Sequence, residues 1–293
     1  MRYFEKHPMS MIVIGIIGIS LSAIFVKYSS APSAVTAAFR LLWTVILMTP
    51  AVVCNSEVRA ELRHMTKGNF FLSCISGLFL AVHFALWFES LQHTSVASST
   101  TIVCTEVLWV ALGFCLFLKG TLTAKAVGAI LVTFAGSVLI ALSDSVGSSH
   151  LYGDLLALLA AIAVAVYTLI GRMVRETVST TAYTYVVYTA CAAVLVVMCV
   201  MQGYSLFAYD SRAIIVGLLL AVFSTILGHS IFSWCLKYFS PAFVSASKLC
   251  EPVVAAIFAG ILFGELPKAL QILGCALILG GVFYYSRLEM NND

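Results

Sequence analysis

The chain has 293 residues, of which 61% are apolar or aromatic and only 10% charged, with 16 Lys and Arg against 13 Asp and Glu and a formal charge of +3 at neutral pH. Soluble domains carry charge on about a quarter of their residues. This composition therefore excludes a pair of soluble domains, a nucleic-acid-binding domain, a disordered linker protein and a disulfide-stapled secreted module. With a mean hydropathy of +1.04, the chain reads as an integral membrane protein.

A helix needs about 20 apolar residues to cross a hydrocarbon core about 30 Å thick, because lipid cannot satisfy exposed backbone groups. Runs of that length fall at 9–29, 33–53, 69–91, 96–118, 124–143, 151–171, 180–201, 213–236, 241–263 and 267–286. They predict an all-α membrane protein of ten transmembrane helices. Pro32 opens the second run, a charged stretch at 57–67 follows it, residues 147–150 separate two halves, and Pro241 and Pro267 open the last two runs. No soluble domain fits between them. The first run lies behind Arg2 and Lys6, as in a signal peptide, but its apolar stretch is longer than a usual signal core. Its best small-residue triplet, Ser29-Ser30-Ala31, would also place Pro32 directly after the cut. It reads as a retained span.

Lys and Arg are held on the cytoplasmic side of a membrane. With the N-terminus inside, eleven fall there (Arg2, Lys6, Arg59, Arg63, Lys67, Lys119, Lys125, Arg172, Arg175, Lys237 and Arg287), against Lys27, Arg212 and Lys268 outside. Both termini are expected in the cytoplasm. Eight of the nine cysteines lie inside apolar runs and read as small packing residues. No CxxC or His/Cys spacing suits zinc, so neither a metal nor a cofactor is expected.

Residues 91–118 and 236–263 resemble each other at an offset of 145, and the alignment places Glu106 opposite Glu251. The chain divides into a first five-helix repeat at 1–143 and a second at 151–293. Five is odd, so the second repeat enters the membrane from the other side. Inverted repeats around a central cavity allow two related conformations, each open to one face, with a binding site near the midplane.

Ala38-Phe39-Arg40, the stretch ALWFESLQHTSVASS at 85–99, Glu251-Pro252, FGELPKALQILG at 263–274 and the glycine-spaced last span together resemble the drug/metabolite transporter superfamily, in its ten-helix EamA-type permease branch. The resemblance covers nearly the whole chain. It implies a multi-pass permease of the inner (plasma) membrane, often an exporter of amino acids, other metabolites or toxic compounds, working without ATP. It also implies structural anchoring by Arg40, Pro252 and Gly264. The first half departs from the pattern: Val107 stands where the second half has Pro252, and Lys119-Gly120-Thr121 where it has Gly264-Glu265.

Glu106 and Glu251 fall near the middle of their spans, where ionisable groups pair, face water or bind protons. They are the first candidates for the cavity, as proton or cation sites or as helix-to-helix hydrogen bonds. Lys248, three residues before Glu251, pairs with it on one helical face or meets a substrate carboxylate. Hydroxyl groups around Ser99 in the outer half of the fourth span, and around Ser245 in the inner half of the ninth, describe an hourglass with a vestibule on each side. His83 and His229 match in the third and eighth spans, in its outer and inner third respectively, as proton relays or buried neutral rings. Trp87 and Trp109 lie one helical turn from His83 and Glu106, as ligand platforms or packing residues. Arg40 is placed in the outer part of its span with a stem long enough to snorkel.

The expected function is secondary active transport by alternating access, exporting a small metabolite such as an amino acid or amphipathic compound, with protons as a coupling partner. The alternatives are an uncoupled facilitator or an organic-cation or drug efflux carrier. An intramembrane enzyme on lipid-linked substrates is the reading from another class, and neither HExxH nor GxSxG appears to support it. The expected partners are the lipid bilayer and a small-molecule substrate, with no nucleic acid.

Overall fold

Polar residues start the long helices by accepting free backbone N–H groups. In the computed structural model, which describes residues 8–94, 96–144, 151–254, 257–258 and 268–290, Thr66, Ser179, Asp210 and Ser240 accept from Asn69, Ala182, Ala213 and Phe243 at 3.1–3.3 Å. Pro241 follows its cap at the first helical position, where its missing N–H costs nothing. The described elements are α1 Pro8–Ser20, α2 Ser22–Lys27, α3 Ser33–Cys54, α4 Ser56–His64, α5 Lys67–His93, α6 Val96–Val103, α7 Glu106–Phe117, α8 Ala124–Asp144, α9 Leu151–Arg175, α10 Thr180–Met201 and α11 Ser211–Leu219. After them come a π-helical stretch Leu220–Ser230, α12 Ile231–Cys235, α13 Pro241–Lys248 and α14 Ala269–Met290. No strand occurs among the described residues.

Eight helices among the described residues are long and apolar enough to cross a membrane: Pro8–Lys27, Ser33–Cys54, Lys67–His93, Ser99–Phe117, Leu151–Arg175, Thr180–Met201, Ser211–Cys235 and Ala269–Met290. Each lies on one of the ten predicted runs. The fifth run holds α8, whose apolar part is the shorter Ala124–Ile140, and the ninth is described only in part. The protein is a multi-pass helical membrane protein.

Five local departures from simple spans matter for the site. The charged connection at 57–67 contains a short helix, α4, because Asn55 Oδ1 accepts Glu57 and Val58 N–H and starts it. The first span breaks at Leu21, between α1 and α2. The fourth and ninth break just before Glu106 and Glu251. The eighth widens into the π-helical stretch, where the Thr225 and Ser230 hydroxyls donate to the carbonyls five residues back, at 3.3 and 3.2 Å. A mid-helix change of winding of this kind is frequent at functional sites.

Two apolar cores form, and each draws on both sequence halves. One joins α3 and α5 to α9, α10 and α11 through residues such as Leu41, Phe84, Phe88, Tyr183 and Leu195. The other joins α1, α7 and α8 to α12, α13 and α14 through Ile16, Val107, Ile130, Phe243 and Ile278. α8 and α14 meet backbone to backbone: a Cβ on Gly136 would lie 2.7 Å from the Gly274 carbonyl, and one on Gly281 3.1 Å from the Ala129 carbonyl. As α8 is followed backward from 136 to 129, α14 is followed forward from 274 to 281, so the two helices run antiparallel. Loop ends are tied in pairs, Ser30 to Asp210, Thr94 to Asp154, Ser179 to Glu61 and Ser240 to Glu289.

Candidate functional site

The breaks in the fourth and ninth spans have the same form. Thr105 N–H donates to the Ile102 carbonyl at 3.0 Å, and Cys250 N–H to the Ser247 carbonyl at 3.1 Å. Both are tightened three-residue turns, and both stand 145 residues apart, the offset of the sequence repeat. The helices resume at Glu106 and at Glu251, which puts an acidic residue on each helix start, where the backbone dipole favours negative charge.

Around these breaks lies a cavity of about 60 Å³, above the volume of about 10–15 Å³ needed to hold water. Ser22, Arg40, His83, Trp87, Thr100, Cys104 and Glu106 line it from the first half, and His229, Ser245, Lys248, Leu249 and Glu251 from the second. It therefore sits where the two sequence halves meet.

Glu106 is held across that seam. Its Oε1 accepts from Lys248 Nζ at 2.7 Å and from the Ser245 and Thr168 hydroxyls at 3.1 Å each. Side-chain exposures of 13% for Lys248 and 9% for Glu106 make this a largely buried ion pair. The expected pairing of Lys248 with Glu251 is thus corrected. The tightened turn at 249–250 separates the two residues, and Lys248 reaches across to the other half. Among the described residues Glu251 has no hydrogen bond or ion pair, and it faces the cavity.

Arg40 is also corrected. It does not snorkel from an outer position but is 1% exposed and lines the cavity. Nε donates to Thr225 at 2.8 Å, Nη1 donates to Ser22 at 3.2 Å, and the guanidinium lies 4.1 Å over the Phe84 ring. The π-helical winding of 220–230 carries Thr225, and the break at Leu21 carries Ser22. The irregular helices therefore supply the acceptors that hold this cation.

His83 and His229 are not separated in depth, as expected from their spans. Their rings lie 6.4 Å apart. His83 Nδ1 bonds the Ala160 carbonyl at 3.0 Å, and Trp87 stacks on its ring at 6.0 Å. His229 lies edge-on to Phe84 at 5.3 Å. Two candidates leave the cavity. Trp109 is 37% exposed on the outer surface of its helix, and Ser99 is buried behind the wall, accepting from the Ser90 hydroxyl at 2.8 Å. Thr100 takes the position expected of Ser99 on the lining. Helical rotation explains both changes, since one residue turns the side chain by about 100°. Pro252 is the second residue of the resumed ninth helix, and Gly264 lies outside the described residues.

Sequence reasoning missed Thr168, which lies in an otherwise apolar run. It also missed a set of buried tyrosines: Tyr167, Tyr183 and Tyr188 meet Ser233, Ser76 and Ser230 at 2.7–3.0 Å. The signal available was the lack of charge partners for tyrosines in mid-span, which forces each hydroxyl to find another helix.

Packed apolar helices broken around a charged cavity define a multi-pass membrane protein with a polar interior site. Residues 151–287 match the EamA-like transporter family. The chain is 24% identical over 285 residues to "Uncharacterized transporter YxxF" of Bacillus subtilis, covering 94% of this chain and 87% of that protein. It is 22% identical over 261 residues to an "Uncharacterized transporter" of Clostridium kluyveri, covering 86% and 83%. A solved crystal structure superposes with a TM-score of 0.79 at 18% identity over 98% of this chain and 99% of that one, which establishes likeness of fold. Residues 151–287 thus resemble an EamA-like transporter domain, and the relatives that cover most of the chain are named transporters.

Proposed function

We propose that the protein is a secondary active permease of the inner (plasma) membrane. It exports a small metabolite, such as an amino acid or amphipathic compound, by alternating access of two inverted five-helix repeats, with both termini cytoplasmic. The observation that carries this reading is the Lys248–Glu106 pair. It joins the two halves across a charged cavity and must be remade if the halves rock. The antiparallel contact of α8 with α14 supports the inversion, since the fifth helices of two repeats inserted the same way up would run parallel. The matching breaks before Glu106 and Glu251 support the repeat, and discontinuous helices at the seam suit a midplane binding site.

Glu251 is the proposed coupling carboxylate. It faces the cavity without a hydrogen-bond or ion-pair partner among the described residues, while Glu106 is committed to Lys248, Ser245 and Thr168. Protonation of Glu251 would change the net charge of a wall that also holds Arg40, His83 and His229.

The test is flux in proteoliposomes under an imposed pH gradient. Saturable transport that accelerates with the gradient, and that loses its gradient dependence in Glu251→Gln while Glu106→Gln loses transport altogether, is the expected result. Unchanged proton dependence in both variants overturns the coupling assignment and leaves an uncoupled facilitator. Absence of saturable flux for every compound tried overturns the permease.

A further inference from the structure

The charges on the cavity wall do not cancel locally. Lys248 and Glu106 neutralise each other at 2.7 Å. That leaves Arg40 and the Glu251 carboxyl on the same wall; the described partners of Arg40 are the neutral hydroxyls of Thr225 and Ser22, and no carboxylate, Glu251 included, lies within ion-pair distance of it among the described residues. A buried guanidinium without an anion is costly, because it has given up its hydration for weak acceptors.

The unused donors on the same wall share a chemistry. Arg40 Nη2, Trp87 Nε1, Thr100 Oγ1 and His229 Nδ1 are each buried and without a hydrogen-bond partner among the described residues, and all four residues line the cavity. The guanidinium and indole nitrogens can only donate, and the other two groups can donate by rotation or by choice of tautomer. Native interiors rarely leave such groups unpaired, and each one calls for a water, an ion or a ligand. Four in one small space call for an acceptor-rich, negatively charged group.

We infer that Arg40, with the Trp87 indole N–H lining the same cavity, is the seat for the carboxylate of a small transported acid. This rests on the transporter reading above and deepens it by naming the substrate class and the residue that selects it. Lys248, the sequence-level candidate for that role, is occupied by Glu106. A guanidinium suits a carboxylate because its planar fork meets two oxygens with charge-assisted hydrogen bonds. The aromatic face of Phe84, 4.1 Å beneath the guanidinium, keeps water from one side of it. The volume of about 60 Å³ limits what fits in this conformation to a small headgroup.

The test uses the purified full-length protein in detergent or nanodiscs. Melting shifts and isothermal titration are run with matched probes: the twenty amino acids, acetate, propionate and isovalerate, and the amino alcohols alaninol and leucinol, which lack the carboxylate. The expected result is binding by at least one carboxylate. The Arg40→Met variant weakens that binding about tenfold to a hundredfold, the loss of a charge-assisted hydrogen bond, and Arg40→Lys recovers part of it. Trp87→Phe keeps the ring and removes only the N–H, so it gives a second reading if Arg40→Met fails to fold. It weakens carboxylate binding more than amino-alcohol binding, because the N–H bond to a charged acceptor is the stronger one.

Carboxylates that bind equally well to wild type, Arg40→Met and Trp87→Phe overturn the inference. So does a wild-type protein that binds amino alcohols but no carboxylate, or none of the probes. Failure of the broader reading shows separately: saturable proteoliposome flux of any probe keeps the transporter whatever Arg40 does.

Discussion

Lys248 and Glu106, 142 residues apart in sequence, form a 2.7 Å ion pair across the seam between the two halves of the chain. Each also lies at a helix break, Lys248 as the last residue of α13 and Glu106 as the first of α7. The pair therefore joins the two interrupted helices at their interruptions.

Removing one member leaves the other charged in a largely buried site. Glu106→Gln or Lys248→Met alone is expected to lower unfolding stability in detergent by about 3–5 kcal/mol, whereas the double variant, which buries no charge, recovers most of it. Chemical or thermal unfolding of the four proteins in a double-mutant cycle checks this. Additive losses in the double variant would show that the two residues do not act as a pair.

The last helix offers a test one residue wide. A methyl on Gly281 would meet the Ala129 carbonyl at 3.1 Å and Thr133 N at 3.2 Å, while a methyl on Gly280 meets nothing within 4 Å. Gly281→Ala is expected to separate α8 from α14 and cost about 1–3 kcal/mol. Gly280→Ala should be neutral or stabilise by up to about 1 kcal/mol through helix propensity. Melting temperatures of the two variants side by side decide it.

The clasp between Ser30 and Asp210 depends on pH with a definite sign. Asp210 accepts from the Ser30 hydroxyl at 2.5 Å and from Ala213 N–H at 3.1 Å, and these bonds hold its carboxyl below its ordinary value of 3.8. A lowered folded-state value means that the stabilisation is fully present above 3.8 and is lost as pH falls through the folded value. Wild type should therefore melt above Asp210→Asn at pH 6, and the gap should close on acidification below the ordinary carboxylate range. A gap that widens in acid contradicts the assignment.

The proposed orientation places exposed Cys54, at the end of α3, on the cytoplasmic side and the turn at 202–210 outside. A membrane-impermeant maleimide added to intact cells should leave Cys54 unlabelled until the cells are opened, and should label a Ser205→Cys variant at once. Cys191, Cys199, Cys235 and Cys250 are buried and should react only on unfolding. Labelling of Cys54 in intact cells would reverse the orientation.

Much of the architecture could be read from the sequence because the membrane imposes a length rule. A run of about 20 apolar residues has only one way to satisfy its backbone in lipid, so the eight long apolar helices and the helix starts after Pro32 and at Pro241 were visible in the chain. Composition alone gave the class of protein, since no other solvent suits such a surface.

The wiring of the site was decided by tertiary structure. Which face of a span looks inward depends on rotation about its axis, and an almost uniformly apolar helix carries little periodicity to fix it. That is why Trp109 and Ser99 left the cavity while Thr100 and Arg40 entered it. The partner of Lys248 depended on a two-residue tightening at 249–250 and on how two distant helices dock, and sequence proximity favoured Glu251 instead. Charges in lipid are placed by the packing of several helices at once, and that packing exists only after the chain has folded.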